Sequence, residues 1–316
     1  PEELFGIDKQ GKPRINLVEL RSDLSFGQSN DLVLYKCYRN PLEILLTAHA
    51  LGFGLYSESP VQNLENEEHW NDVGYELKEG YDLAVGKETV IERNRMNSPL
   101  SIYRHQTPGQ LVTTFKAESL DEECDWIANK VSESINEGLK PHDIMVICFD
   151  DYNAKASFAK ISKRLASLGI RSNNLLISSS AAPPFKLDDM VTLSTIHRAK
   201  GNEAAEVFAI GIDALFPHRY SRSGRNKIFT AFTRTKAWLN VSGIGSRVDG
   251  FFKEIEISLK NSPCLTFIVP DVEKIRRDND SKPQEILKMQ EMMERLKEQG
   301  YSNEQIQMEL QLKEDN

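Results

Sequence analysis

A chain of 316 residues is long enough for one large α/β domain with an appendage, or for two modest domains, and 40% hydrophobic with 27% charged residues is the composition of a globular protein. No apolar run approaches the ~18 residues that a membrane span needs, the opening PEELFGIDKQGKPRI has no secretory signal pattern, and Cys37, Cys124, Cys148 and Cys264 show neither zinc nor redox spacing. A reducing, cytoplasmic setting is expected, and a net charge of −8 argues against coating nucleic acid by bulk electrostatics.

In chain order, residues 1–30 are polar and turn-rich and read as a linker; the start without Met is that expected of an excised fragment. DLVLYKC (Asp31 to Cys37) predicts a strand ending in a core thiol, and Pro41 to Leu51 predicts a helix with Pro at its first position and Asn40 before it. Tyr56 to Pro108 reads as an irregular insertion. Strand patterns follow at Leu111 to Phe115 and Asp143 to Phe149, flanking an amphipathic helix from Ser119 to about Asn136; Asn153 to Leu168 predicts another helix. Met190 to Thr195 and Glu206 to Ile212 are strand patterns, with a helix from about Arg225 to Lys236 and a strand from Trp238 to Gly243. From Asp271 a charged linker leads into two amphipathic helices, around Ile286 to Leu296 and Ser302 to Leu310, read as a hairpin tail over 271–316. Alternating strands and helices over 31–270 predict an α/β fold, a parallel sheet covered on both faces, with ligands at the carboxyl ends of its strands.

Between Val191 and Lys236 the local charge reverses. Arg198, Lys200, Arg219, Arg222, Arg225, Lys227, Arg234 and Lys236 outnumber Glu203, Glu206 and Asp213. Within that stretch an apolar strand ends at Thr195 and another begins near Glu206. The turn between them collects a hydroxyl, an imidazole, two cations, a glycine and a carboxylate, which suits phosphates and a ribose. Lys200-Gly201 permits close approach of an anion to the backbone.

The run TIHRAKGNEAAEVFAIG resembles motif V of the UvrD/Rep-type superfamily 1 DNA helicases. ALFPHR (Ala214 to Arg219) is similar to the segment that follows it in the family, RNKIFTAFTRTKAWL to motif VI, and CYRNP (Cys37 to Pro41) to motif IV. The resemblance implies a second RecA-like motor domain. By it, Arg39 and Arg234 contact the γ-phosphate of ATP bound with Mg²⁺. A planar, permanently charged guanidinium can satisfy several oxygens of a transferring phosphoryl group. It also implies that Gly201, Glu203 and Lys200 approach the nucleotide, Glu203 at the ribose, and that Thr195, His197 and Arg198 face single-stranded DNA. Arg225 reads as structural, as do His49, His69, His105, His142 and His218, which show no metal spacing.

Two features of that family are missing from the sequence. There is no GxxxxGK[ST] loop and no apolar strand ending in Asp-Glu, so the β- and γ-phosphate cradle is expected on a first motor domain of the same protein, and this chain alone is expected to be inactive. Only Arg171 to Asp189 fills the place of the family's large accessory domain. An alternative reading is a non-motor module that keeps the RecA-like fold and binds nucleic acid or protein.

Overall fold

Every helix and strand traced here in the computed structural model, which describes residues 34–100, 102–177, 184–271 and 275, lies in Lys36–Asn316, one of two compact units. In chain order these are α1 (Leu42–Phe53), α2 (Glu67–Asp72), β1 (Glu76–Leu77), β2 (Glu88–Glu92), α3 (Pro108–Leu111), β3 (Val112–Ala117), α4 (Leu120–Asn136), β4 (Ile144–Cys148) and α5 (Ala154–Ser167). They continue with β5 (Arg171–Asn174), β6 (Met190–Thr195), α6 (Ile196–Ala199), β7 (Ala204–Ile210), α7 (Arg222–Phe232), β8 (Thr235–Ile244), α8 (Asp249–Asn261) and β9 (Cys264–Ile268).

Six strands form one parallel sheet in the order β3-β8-β7-β4-β6-β5, the α/β arrangement expected from the sequence. The two-residue period of a strand sorts its side chains between two cores. From β4, Ile144, Val146 and Cys148 meet Cys124, Ile127 and Val131 of α4 and Phe158, Ile161 and Leu165 of α5. Met145 and Ile147 enter the opposite core with α1, Ile228 and Phe232 of α7, and Phe251 and Ile255 of α8. With helices on both faces, every residue of β4 is buried, as central strands of such sheets require.

Local signals place the helix starts. Ser119 accepts from the Glu122 N–H and Ser221 from the Gly224 N–H, each satisfying an orphan donor of a first turn. The start of α1 differs from the sequence expectation. Pro41 is its cap residue, and the Asn40 side chain makes no cap, being bonded elsewhere. Nor do residues 34–37 form a strand: the Cys37 N–H donates to the Asn97 carbonyl at 2.8 Å, and Cys37 is half-buried rather than a core thiol.

The stretch from Tyr56 to Pro108, expected to be irregular, contains α2, β1 and β2. With β9 they make a second, antiparallel sheet in the order β1-β2-β9. Locally β2 has only the two-residue β1 beside it, and its other edge is covered by β9, which arrives from the far end of the chain. Trp70, Tyr75 and Ile91 join Leu265 and Phe267 in the α1 core. The strand β5 and the helix α8 were also missed. In α8, Phe251, Glu254, Ile255 and Ser258 are buried, an i, i+3, i+4, i+7 stripe that the sequence offers openly. The predicted linker at 1–30 and the helical tail beyond 275 lie outside the described residues.

Candidate functional site

The segment Thr195 to Glu203 begins where β6 ends and finishes where β7 begins. Both strands flank β4 in parallel, Cys148 aligning with Thr195 and Ile144 with Glu206. The connection must therefore travel back across the sheet, at least the five residues of β4, or roughly 16 Å at about 3.3 Å per residue. This corrects the expectation that all its polar groups gather at one carboxyl edge. Thr195, His197 and Arg198 lie toward that edge, whereas Glu203 lies at the amino edge.

Two anchors carry the segment across. Ile196 and Ala199 of α6 are buried in the α1 core, one helical turn apart, while His197 and Arg198 are exposed. Then the chain turns sharply: Lys200 has φ −56°, ψ 133°, Gly201 has φ +81°, and the Asn202 N–H donates to the Ala199 carbonyl at 3.1 Å. This is a type II turn, which needs glycine at its third position. A Cβ on Gly201 would touch no described atom within 4 Å, so the glycine is required by its backbone conformation rather than by crowding. Lys200 is exposed at the corner of the turn.

At the amino edge two stretches distant in sequence, around Arg39 and from Arg234 to Lys236, meet Glu203 and its neighbour Ala204. Arg39 Nε lies 3.9 Å from Glu203 Oε2, and Lys236 Nζ lies 3.4 Å from Glu203 Oε1. Arg234 enters through the backbone, since its carbonyl accepts from the Ala204 N–H at 3.1 Å. Its Nε donates to the Thr230 carbonyl at 3.0 Å and its Nη2 to Thr233 Oγ1 at 3.3 Å, which holds the guanidinium back along the end of α7. Between the two arginines sits Asn40, 1% exposed, whose Nδ2 donates to the carbonyls of Thr233 (3.1 Å) and Thr235 (2.6 Å) on either side of Arg234. Sequence reading put no weight on Asn40 beyond a helix start, and its burial has no local signature. Lys236 was counted only as part of a basic run.

The carboxyl edge is organised differently. Thr195 makes no side-chain cap to α6. Arg198 Nη1 donates to the Leu175 carbonyl just past β5, so this guanidinium also has a structural tie. Nearby, Glu123 Oε1 accepts from Ser242 Oγ (2.6 Å) and the Gly211 N–H (3.1 Å), and Asp213 accepts from the Ile244 N–H (2.9 Å). Burial pushes both carboxyls above their ordinary range, partly offset by these hydrogen bonds.

Arg225 is structural, as expected: 1% exposed, it forms a two-pronged pair with Glu254 (2.6 and 2.9 Å) and donates to the Leu51 carbonyl at 3.1 Å, joining α7, α8 and α1. His49 is buried against the Tyr75 hydroxyl at 2.8 Å.

Residues 190–242 match the family model described as the UvrD-like helicase C-terminal domain. The match takes in β6, the Thr195 to Glu203 segment, β7, α7 and most of β8, and leaves out Arg39, Asn40 and Glu123. Over those residues the chain is similar to UvrD-like helicase C-terminal domains. Among solved structures it is similar to the C-terminal domain of a possible DNA helicase from Lactobacillus plantarum WCFS1, at 17% identity and a TM-score of 0.33, covering 45% of this chain and 78% of that one. That likeness is too weak to bear on fold or function. No curated protein matches the chain. Among the described residues, no helix is long and apolar enough to cross a membrane.

Proposed function

We propose that this chain is the second RecA-like motor domain of an ATP-dependent superfamily 1 DNA helicase. In this reading it supplies Arg39 and Arg234 to the terminal phosphate of an ATP held, with its Mg²⁺, mainly by a first motor domain of the same protein. The observation that carries the reading is the convergence of Arg39 and Lys236 on Glu203, with the Arg234 carbonyl bonded to the neighbouring Ala204 N–H. Two cations, Arg39 and Lys236, share one carboxylate there, an excess of positive charge that suits a polyphosphate.

The ion pairs now present are weak enough to exchange. Arg39, Glu203 and Lys236 are 43%, 41% and 51% exposed, and such pairs contribute about 0–1 kcal/mol. A polyphosphate carries several charges and can draw both cations away from Glu203, leaving its carboxylate to accept from ribose hydroxyls. The type II turn at Lys200-Gly201 brings backbone close to the same edge. Bound ATP would supply the phosphoryl group; the arginines would spread and neutralise the charge that develops on its oxygens.

Thr195, His197 and Arg198 are assigned to the backbone of single-stranded DNA. One short, doubly anchored segment joins them to Glu203, so a displacement at the nucleotide edge shifts the DNA edge with it. Such coupling lets ATP state alter the grip on DNA, the requirement for stepping along a strand.

The test uses the full-length protein. Arg234→Ala and Arg39→Ala should each lower DNA-stimulated ATP turnover about 10³-fold, the scale of an arginine finger, with affinity for single-stranded DNA within a few-fold of wild type. Unchanged turnover removes that arginine from the site. A coding sequence that places no phosphate-binding loop in the same protein would instead favour a non-motor binding module.

A further inference from the structure

On the α4 face of the sheet, a cavity of about 560 Å³ opens at its amino edge between α4, β3 and β8. Its floor is polar. Thr113 Oγ1 donates to Asn240 Oδ1 at 2.5 Å, and Asn240 Nδ2 donates to Glu206 Oε1 at 2.8 Å. Both hydrogen bonds run the same way, toward Glu206. That residue is 5% exposed, and its Oε2 has no hydrogen-bond partner among the described residues. The Ser134 hydroxyl, which lies close by, is used on the Lys130 carbonyl at 3.1 Å. A buried carboxylate oxygen left this way is destabilising, and burial pushes the Glu206 carboxyl up, an effect that the neighbouring Ser134, Asn240 and Lys130 partly offset.

The rest of the cavity specifies what could satisfy it. The floor's protons are already directed at Glu206, so a ligand must donate. Lys130, paired with Glu133 at 2.9 Å, is the one cation among the described residues of the lining, set against the three acids Glu133, Glu137 and Glu206. The charge therefore favours a cation. Trp238 lines the wall, its Nε1 donating to Gln106 Oε1, which fixes the indole. A flat aromatic wall beside a carboxylate accommodates a planar cation better than a tetrahedral ammonium, because the plane can stack while its N–H groups point at the oxygens.

We infer that this cavity is a binding site for a guanidinium group, seated against Trp238 and donating to Glu206 Oε2. Free guanidino compounds and the arginine side chain of a polypeptide share this chemistry. The inference does not depend on the motor reading, since none of its residues is among those assigned to nucleotide or DNA.

The experiment is calorimetric titration of the intact chain with four probes: N-acetyl-arginine amide, agmatine, and the lysine and citrulline counterparts of the blocked arginine. Citrulline keeps the plane and loses the charge; lysine keeps the charge and loses the plane. Saturable binding of a guanidinium probe at least tenfold tighter than both controls, and at least tenfold weaker in Glu206→Gln, is the expected result. Gln retains the oxygen that Asn240 bonds, so the variant should fold, and an unchanged melting transition checks this. Tighter agmatine assigns the site to free guanidino compounds, and tighter blocked arginine to a polypeptide. Equal binding of the citrulline or lysine probe, no binding at all, or full affinity in a folded Glu206→Gln overturns the inference. Should that variant fail to fold, the wild-type comparison of arginine with citrulline decides alone.

Discussion

Asn40 and Thr235, 195 positions apart, are joined by a hydrogen bond of 2.6 Å from the Asn40 amide to the Thr235 carbonyl. The same Nδ2 also reaches the Thr233 carbonyl, so the segment carrying Arg39 is fastened on both sides of Arg234. Replacing Asn40 with Ala strands two carbonyls at a buried position and should cost about 1–3 kcal/mol. Asn40→Asp should cost more, because an anion would face those two carbonyl oxygens. Urea denaturation of both variants checks the order, and an Ala variant as stable as wild type would mean that water replaces the amide.

The exposed pairs at Glu203 lead to a prediction about anions. Glu203→Gln removes the carboxylate that competes for Arg39 and Lys236, a competition worth about 0.2–1 kcal/mol. Affinity for inorganic tripolyphosphate should rise roughly 1.4- to fivefold by that measure. ATP should gain less if Glu203 also accepts from the ribose. Titration with both ligands separates the effects, and equal gains would remove Glu203 from the ribose.

Arg225 and Glu254 form the buried pair that ties α7 to α8. Breaking such a pair from one side costs about 3–5 kcal/mol, because a charge is left buried alone. Arg225→Met should therefore destabilise strongly, whereas adding Glu254→Leu should recover much of the loss. Chemical denaturation of the two singles and the double gives the coupling. A double variant that is merely the sum of the singles would show that the pair does not act as a unit.

His49 makes stability fall in acid. Burial, reinforced by the Arg93 guanidinium, lowers its pKa from 6.5 to about 3. Between those values the unfolded chain binds a proton that the folded chain refuses, so this contribution is full above pH 6.5 and declines as pH falls toward 3. Each pH unit in that window is worth about 1.4 kcal/mol. His49→Gln should flatten this part of the profile by about 2 kcal/mol between pH 6.5 and 5. Parallel profiles for variant and wild type would mean that the folded protein accepts the proton.

Much of the parallel sheet was legible because its strands announce themselves locally. β6 coincides with the run Met190 to Thr195, and α4 begins at its Ser119 cap as the pattern requires. The antiparallel β1-β2-β9 sheet was not legible, since Glu88–Glu92 pairs with Cys264–Ile268, and neither segment carries the other's address. The candidate site divides the same way. Arg39, Thr195, Glu203 and Arg234 were found in the sequence because their neighbours form recognisable runs.

The sequence alone determined which side chains carry charge, where the strands of the parallel sheet begin, and that a UvrD-like segment surrounds Thr195 to Glu203. Tertiary structure alone decided that this segment is divided, with Thr195 and Glu203 at opposite edges, because β6 and β7 both lie against β4 and the chain between them must return across it. It also decided that Asn40 is a clamp rather than a cap and that Glu206 faces a cavity. Those outcomes depend on long-range pairings and burial, which set the energy of a polar group by what surrounds it and leave no trace in the residues beside it.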